Sequence, residues 1–181
     1  DHYVYVVDAW DNEKRSHTLD YGTVDSLGEL KGLVIDRKWQ GQDGKAYLPT
    51  VTLIDSRFRP ADIYEFCRDM LRGKRKVLPC FGSTKSLGGF YRKAVLGKDS
   101  SMPGLPVIHV DTISTQDWLD NQLYNLAAGE AGCTTLYAGR LGEHQDYLEQ
   151  LLNDVVISTV DARNYAKEVW ERPDPTVPND Y

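Results

Sequence analysis

Tyr47-Leu48-Pro49-Thr50-Val51-Thr52-Leu53-Ile54-Asp55-Ser56 is the stretch on which the fold turns. Residues 47–54 are apolar or β-branched almost throughout, and the run ends on a carboxylate. A continuous apolar run of that length predicts a strand buried on both faces, central in a sheet between helix layers. Pro60 follows and suits a first helical turn, after which Ile63, Phe66, Cys67, Met70 and Leu71 recur at helical spacing until Gly73. Residues 77–81 and 106–110 read as further strands, so the unit repeats strand, loop and helix in the manner of an α/β fold.

Working outward, residues 2–10 and 16–22 are β-rich and separated by a polar turn at 11–15, which predicts an antiparallel hairpin. Ser26 with Glu29 is a capping-box pair, and Leu30, Leu33 and Val34 extend it into a helix expected over about 27–39, stopped by the Gly-rich residues 41–44. Residues 82–105 show neither period and read as a long loop, functional or mobile. Beyond them, Thr115 is expected to cap a helix with Leu119, Leu123, Leu126 and Ala127 inward. A strand at 134–138, a helix at 143–152 and strands at 155–160 and 167–171 complete the reading. The class predicted is α/β, a mixed sheet flanked by helices.

With 181 residues the chain is one domain long. Its 21 Lys and Arg against 27 Asp and Glu leave a net charge of −6, and four Trp, eleven Tyr and four Phe argue against a disordered tail. No apolar run approaches the roughly 20 residues of a spanning helix, so no membrane segment is expected, and no secretory signal opens the chain. Cys67, Cys80 and Cys133 are odd in number and never form C-x-x-C, which argues against a disulfide framework or zinc knuckle and suits a reducing compartment. Asp1 leads directly into β-rich sequence and residues 172–181 stop in a Pro-rich loop, so the chain is expected to be a piece of something longer.

Two features carry chemistry. Asp55 sits at the carboxyl end of a strand, where α/β sheets collect ligands, although an Asp there also serves as a loop cap. Asp8 ends a similar strand. It either joins Asp55 in holding a hard cation such as Mg²⁺ or Mn²⁺ or belongs to the polar turn with Asp11 and Asn12. The second feature is charge: Arg72, Lys74, Arg75, Lys76, Lys85, Arg92, Lys93 and Lys98 run without an acidic residue and interleave with Phe81, Phe90 and Tyr91. Such a segment can hold a polyanion on a net-acidic protein, or it is a solvated surface loop. Residues 81–89 lack phosphate-loop spacing, His109 shares a strand face with Asp111 but reads as a structural histidine, and neither H-E-x-x-H nor G-x-S-x-G occurs.

The ordered series D-H-Y-V-Y-V-V-D-A-W (1–10), L-D-Y-G (19–22), L-I-D-S (53–56), I-Y-E-F-C-R (63–68), C-F-G-S (80–83), V-I-H-V-D-T (107–112), Q-L-Y (122–124) and V-W-E-R (169–172) resembles the nuclease region of tailed-bacteriophage terminase large subunits of the lambda type. The resemblance implies a single nuclease domain over 1–181 with an RNase H-like fold, an ATPase motor domain elsewhere in the parent protein, and metal-dependent endonuclease activity that cuts concatemeric double-stranded viral DNA during packaging and virion assembly. It implies two cations, Mg²⁺ or Mn²⁺, held by three acidic positions, of which Asp55 matches one. The other two family motifs fall outside the chain, which leaves Asp8 and Asp180 as second-line ligands and implies that the chain alone is inactive. Arg72, Lys74, Arg75, Lys76, Lys85, Arg92, Lys93 and Lys98 would then track the DNA backbone. The implied partners are viral DNA, the terminase small subunit and the portal, with no membrane, in the host cytoplasm. The competing expectation is a non-catalytic module on an RNase H-like scaffold that binds nucleic acid or a packaging partner.

Overall fold

The computed structural model describes residues 2–13, 15–41, 43–128 and 133–177. The opening hairpin forms as predicted, with β1 (Tyr3–Trp10) antiparallel to β2 (Ser16–Val24) and a register shift between Val7 and Asp8. Asp11 closes the turn: its carboxylate accepts the amides of Glu13 and Arg15 and pairs with the Arg15 guanidinium at 2.7 Å. Ser26 Oγ accepts the Glu29 amide at 3.1 Å, and the Glu29 carboxylate accepts the amide of Asp25, so the capping signal is used.

The helix it starts is shorter than expected. Helix α1 (Leu27–Leu30) passes into a π-helical turn at Lys31–Ile35, closed by the Asp36 amide on the Lys31 carbonyl at 2.9 Å. The wider turn lets Leu30, Val34 and Ile35 all reach the core. Residues 39–47 then form a small hairpin of β3 (Trp39–Gln40) and β4 (Ala46–Tyr47), and the Gly-rich residues are its turn rather than a helix stop.

The decisive run makes a strand of four residues only, β5 (Thr52–Asp55). It pairs with β6 (Val77–Ser83) in a four-stranded sheet of order β5-β6-β8-β7, where β8 is Pro106–Asp111 and β7 is Tyr91–Val95. Strands β5, β6 and β8 are parallel and β7 is antiparallel. The expectation of a central strand buried on both faces is therefore corrected. β5 lies at an edge, Ile54 is buried and Leu53 is exposed. Pro49 has no N–H to give a ladder, which shortens the strand from its start. Helix α2 (Pro60–Arg72) follows with Ile63, Cys67 and Met70 buried, and these join Val7, Val24, Leu30, Val34, Ile35, Ile54 and Val77 in one core shared by both large sheets.

The long loop expected at 82–105 contains β7 and the end of β6. Helix α3 (Thr112–Ala128) starts directly from β8, and the side chains of Leu126 and Ala127 lie outside the description. Strand β9 (Thr134–Leu136) adds parallel to β2. Helix α4 (Gln145–Leu151) precedes a separate hairpin of β10 (Val155–Val160) and β11 (Ala166–Glu171). The fold is mixed α/β, but the described strands form four sheets rather than one.

Candidate active site

Asp55 is the last residue of β5 and is exposed. One of its carboxylate oxygens accepts the Arg57 amide at 2.9 Å, and no hydrogen bond among the described residues engages the other. The chain beyond it is fastened: buried Ser56 donates both its amide and its hydroxyl to the Cys80 carbonyl, each at 2.9 Å. Arg57 reaches across to donate to the Gly82 carbonyl at 2.5 Å. Glycine is needed at 82 because a Cβ there would meet Thr112 Cγ2 at 2.5 Å and Arg57 Nη2 at 3.0 Å. Arg57 thus ties the Asp55 carboxylate, through its amide, and β6, through its guanidinium, to one residue. Sequence reading passed over it, although an Arg two residues after a strand-end Asp is the available signal.

Cys80 stands level with Asp55 on the neighbouring strand. Burial, and then the charge of Asp55, pushes its thiol up to about 11, and burial pushes Cys67 to about 12. Both remain neutral thiols near pH 7 and are poor nucleophiles.

Asp111, only 1% exposed, ends β8. Its carboxylate accepts the Ser114 amide at 2.9 Å and the Leu87 amide at 2.8 Å, and these bonds, that of Ser114 first, hold it below the usual carboxylate range. Asp111 therefore performs the helix capping expected of Thr115. It also ties the β6–β7 connection to the sheet, helped by its own amide on the Phe90 carbonyl at 2.8 Å. His109 packs edge-on against Phe81 with ring centroids 4.3 Å apart, a structural placement.

Asp8 accepts the Thr18 hydroxyl at 2.8 Å across the first hairpin. Asp180 lies outside the described residues. No group of three or more His, Cys, Asp or Glu among the described residues is arranged to hold a metal ion. The residues described thus supply one well-placed carboxylate and do not by themselves fit a two-cation centre.

Register divides the basic segment. Asp55, Cys80, Ile108 and Lys93 share one level across the four strands. At about 4.8 Å per strand step, Lys93 stands roughly 14 Å from Asp55. Arg92 lies opposite His109, and Lys85 follows Ser83 beyond the carboxyl ends of β6 and β8. Arg72, Lys74, Arg75 and Lys76 enter β6 at the opposite end, level with Thr52, and Lys98 follows β7 toward that same end. There Arg72 pairs with Asp69 at 3.6 Å and Arg75 with Asp36 at 2.9 Å. Among the described residues Lys85, Arg92 and Lys93 make no ion pair.

Over residues 1–180 the sequence matches the family described as terminase large subunit gpA, endonuclease domain. The chain belongs to that family. No curated protein and no solved structure matches it. The terminase resemblance carried by L-I-D-S, C-F-G-S and V-I-H-V-D-T is borne out, and within this terminase endonuclease domain those motifs close β5, β6 and β8, three parallel neighbours. No described helix is long and apolar enough to cross a membrane.

Proposed function

We propose that this terminase endonuclease domain, on an RNase H-like scaffold, cuts concatemeric double-stranded viral DNA by phosphodiester hydrolysis, with Asp55 as a ligand for Mg²⁺ or Mn²⁺. The observation that carries the reading is the exposed Asp55 carboxylate at the end of a parallel strand, in a chain of a nuclease family. A divalent cation at such a site supplies an activated water and a counter-charge for the leaving oxygen. One carboxylate does not hold Mg²⁺ against water, so the 181-residue chain alone is expected to be silent and to bind the ion no better than about millimolar. The chain's own residues contribute position and charge: Arg57 steadies Asp55, and Lys85, Arg92 and Lys93 offer unpaired cations to the DNA backbone. Such contacts orient the duplex without reading its sequence. In the parent protein, in the host cytoplasm, the terminase small subunit and the portal are the partners.

The incomplete carboxylate set favours a second reading, a non-catalytic DNA- or partner-binding module. Asp55→Asn in the full-length parent decides between them, since it deletes a ligand charge at nearly constant volume. The nuclease reading expects plasmid nicking and linearisation in Mn²⁺ to disappear while the variant keeps its melting temperature. Cleavage by the folded variant would overturn the role of Asp55, and a wild-type parent that binds DNA without cutting it would establish the binding module.

A further inference from the structure

Phe58 lies three residues beyond Asp55 and is 59% exposed, although Phe is among the side chains that gain most from burial. A single exposed apolar side chain is ordinary on a protein surface, but the backbone beside this one is not. Arg59, the N-cap of α2, is left-handed at φ 51° and ψ 52°, where an N-cap is normally extended. Among the described residues Lys74 and Asn164 are the other non-glycine positions with positive φ. Lys74 follows the end of α2 and Asn164 sits in the turn between β10 and β11, two places where left-handed backbone is the common solution. Arg59 answers to neither rule. Backbone strain of this kind persists where the surroundings impose it, and it concentrates at ligand sites.

The surroundings are explicit. On one side Ser56 is fastened to the Cys80 carbonyl, and Arg57 to the Asp55 carboxylate and the Gly82 carbonyl. On the other, Arg59 pairs with Asp62 at 2.9 Å, and its carbonyl accepts the amide of buried Ile63 at 3.3 Å. Phe58 stands between these anchors with no slack to fold its ring into the core. At about 3.6 Å per residue at most, its Cα lies within about 11 Å of that of Asp55, the length of about three base steps.

We propose that Phe58 is a wedge, whose ring enters the DNA between two stacked bases within about three steps of the phosphate that Asp55 addresses. The proposal deepens the nuclease reading and rests on it for the placement of DNA at this end of the sheet. A phenyl ring has no polar atom to offer a phosphate, so what it gains from DNA is contact with base faces. In a duplex those faces are covered until a step opens, and opening one bends the helix so that more of it meets the protein.

The test uses the full-length parent in EDTA, so that binding is read apart from cutting, on two duplexes that differ by one central mismatch. Each carries 2-aminopurine beside that step, whose fluorescence rises when it unstacks. A mismatched step is cheaper to open, so the wild-type parent is expected to bind that duplex about tenfold more tightly than the paired one and to raise its fluorescence. Phe58→Ala is expected to reduce the preference below about twofold and to abolish the fluorescence rise at an unchanged melting temperature. Phe58→Leu, which keeps an apolar wedge, is expected to retain both. An undiminished preference in Phe58→Ala, or no fluorescence change when the wild type binds, would overturn the proposal. So would a clear fall in the melting temperature of Phe58→Ala, because the ring would then be packed against another part of the parent. A parent that shows the preference and the fluorescence rise but does not cut in Mn²⁺ would sink the nuclease reading and leave the wedge standing.

Discussion

The two ends of the four-stranded sheet both carry cations and treat them differently. At the amino end Arg75 pairs with Asp36 and Arg72 with Asp69, Lys74, Lys76 and Lys98 make no ion pair among the described residues, and the segment serves to steer the chain from α2 into β6. At the carboxyl end Lys85, Arg92 and Lys93 have no anionic partner among the described residues, while Asp55, Arg57 and Asp111 are held by backbone groups. Charge counted along the sequence therefore overstates one end. What matters is which cations the fold has left unspent and which groups it has fixed in place to meet a ligand.

The largest effect expected concerns DNA affinity. Reversing Lys85, Arg92 and Lys93 to Glu in the parent protein is expected to lower the slope of log affinity against log salt by nearly three, at about 0.9 per phosphate contact. The same reversal at Arg72 and Arg75, whose charges are already paired, is expected to change it by less than about one. Fluorescence anisotropy across a salt series checks both, and the opposite ranking would move the DNA to the amino end.

Next comes the close approach at Gly82. Gly82→Ala is expected to cost about 1–3 kcal/mol in urea unfolding, because its methyl must displace Thr112 or Arg57. Gly97→Ala, beyond β7 at the other end, meets no atom within 4 Å and is expected to change stability by less than about 0.5 kcal/mol.

Asp111 sharpens the contrast through pH. Its carboxyl titrates below the unfolded value, so its contribution is complete above about pH 4 and is lost as pH falls through the depressed folded value. The difference in melting temperature between wild type and Asp111→Asn is expected to be constant near neutrality and to shrink in acid. Faster exchange of the Leu87 amide in the variant locates the effect in the β6–β7 connection.

Smallest is Arg75→Ala. Both partners of the Arg75–Asp36 pair are about 30% exposed, so denaturation is expected to register no more than about 1 kcal/mol.

The sequence is most legible where a local rule suffices. The first hairpin, the Ser26–Glu29 cap, α2 behind Pro60 and the strands β10 and β11 all follow from turn chemistry and periodicity within a few residues. The failures have tertiary causes. Apolar content in 47–54 resembled that of a central strand, yet Tyr47, Leu48, Val51 and Leu53 are exposed, and burial depends on neighbours that periodicity does not encode. Strand β7 (YRKAV) escaped notice because an edge strand with exposed Arg92 and Lys93 lacks an apolar face. At the site, the strand-end position singled out Asp55. The cap of α3 was expected at Thr115 rather than Asp111, whose partners, the amides of Leu87 and Ser114, come from opposite sides of β8 in sequence. Nothing in the spacing of the basic residues disclosed that β6 would separate them.

The π-helical turn at Lys31–Ile35 also bears on how this family can vary in length. One surplus residue in that turn is what allows Val34 and Ile35, adjacent in sequence, to lie in the core together. Losing a single codon there would restore a regular α-helix and rotate everything after it by about 100°. Ile35 would swing off the core, and the register of the hairpin at 39–47 against the rest of the fold would be lost. Related sequences are therefore expected to accumulate insertions and deletions readily at the 41–44 turn and hardly at all between Lys31 and Ile35.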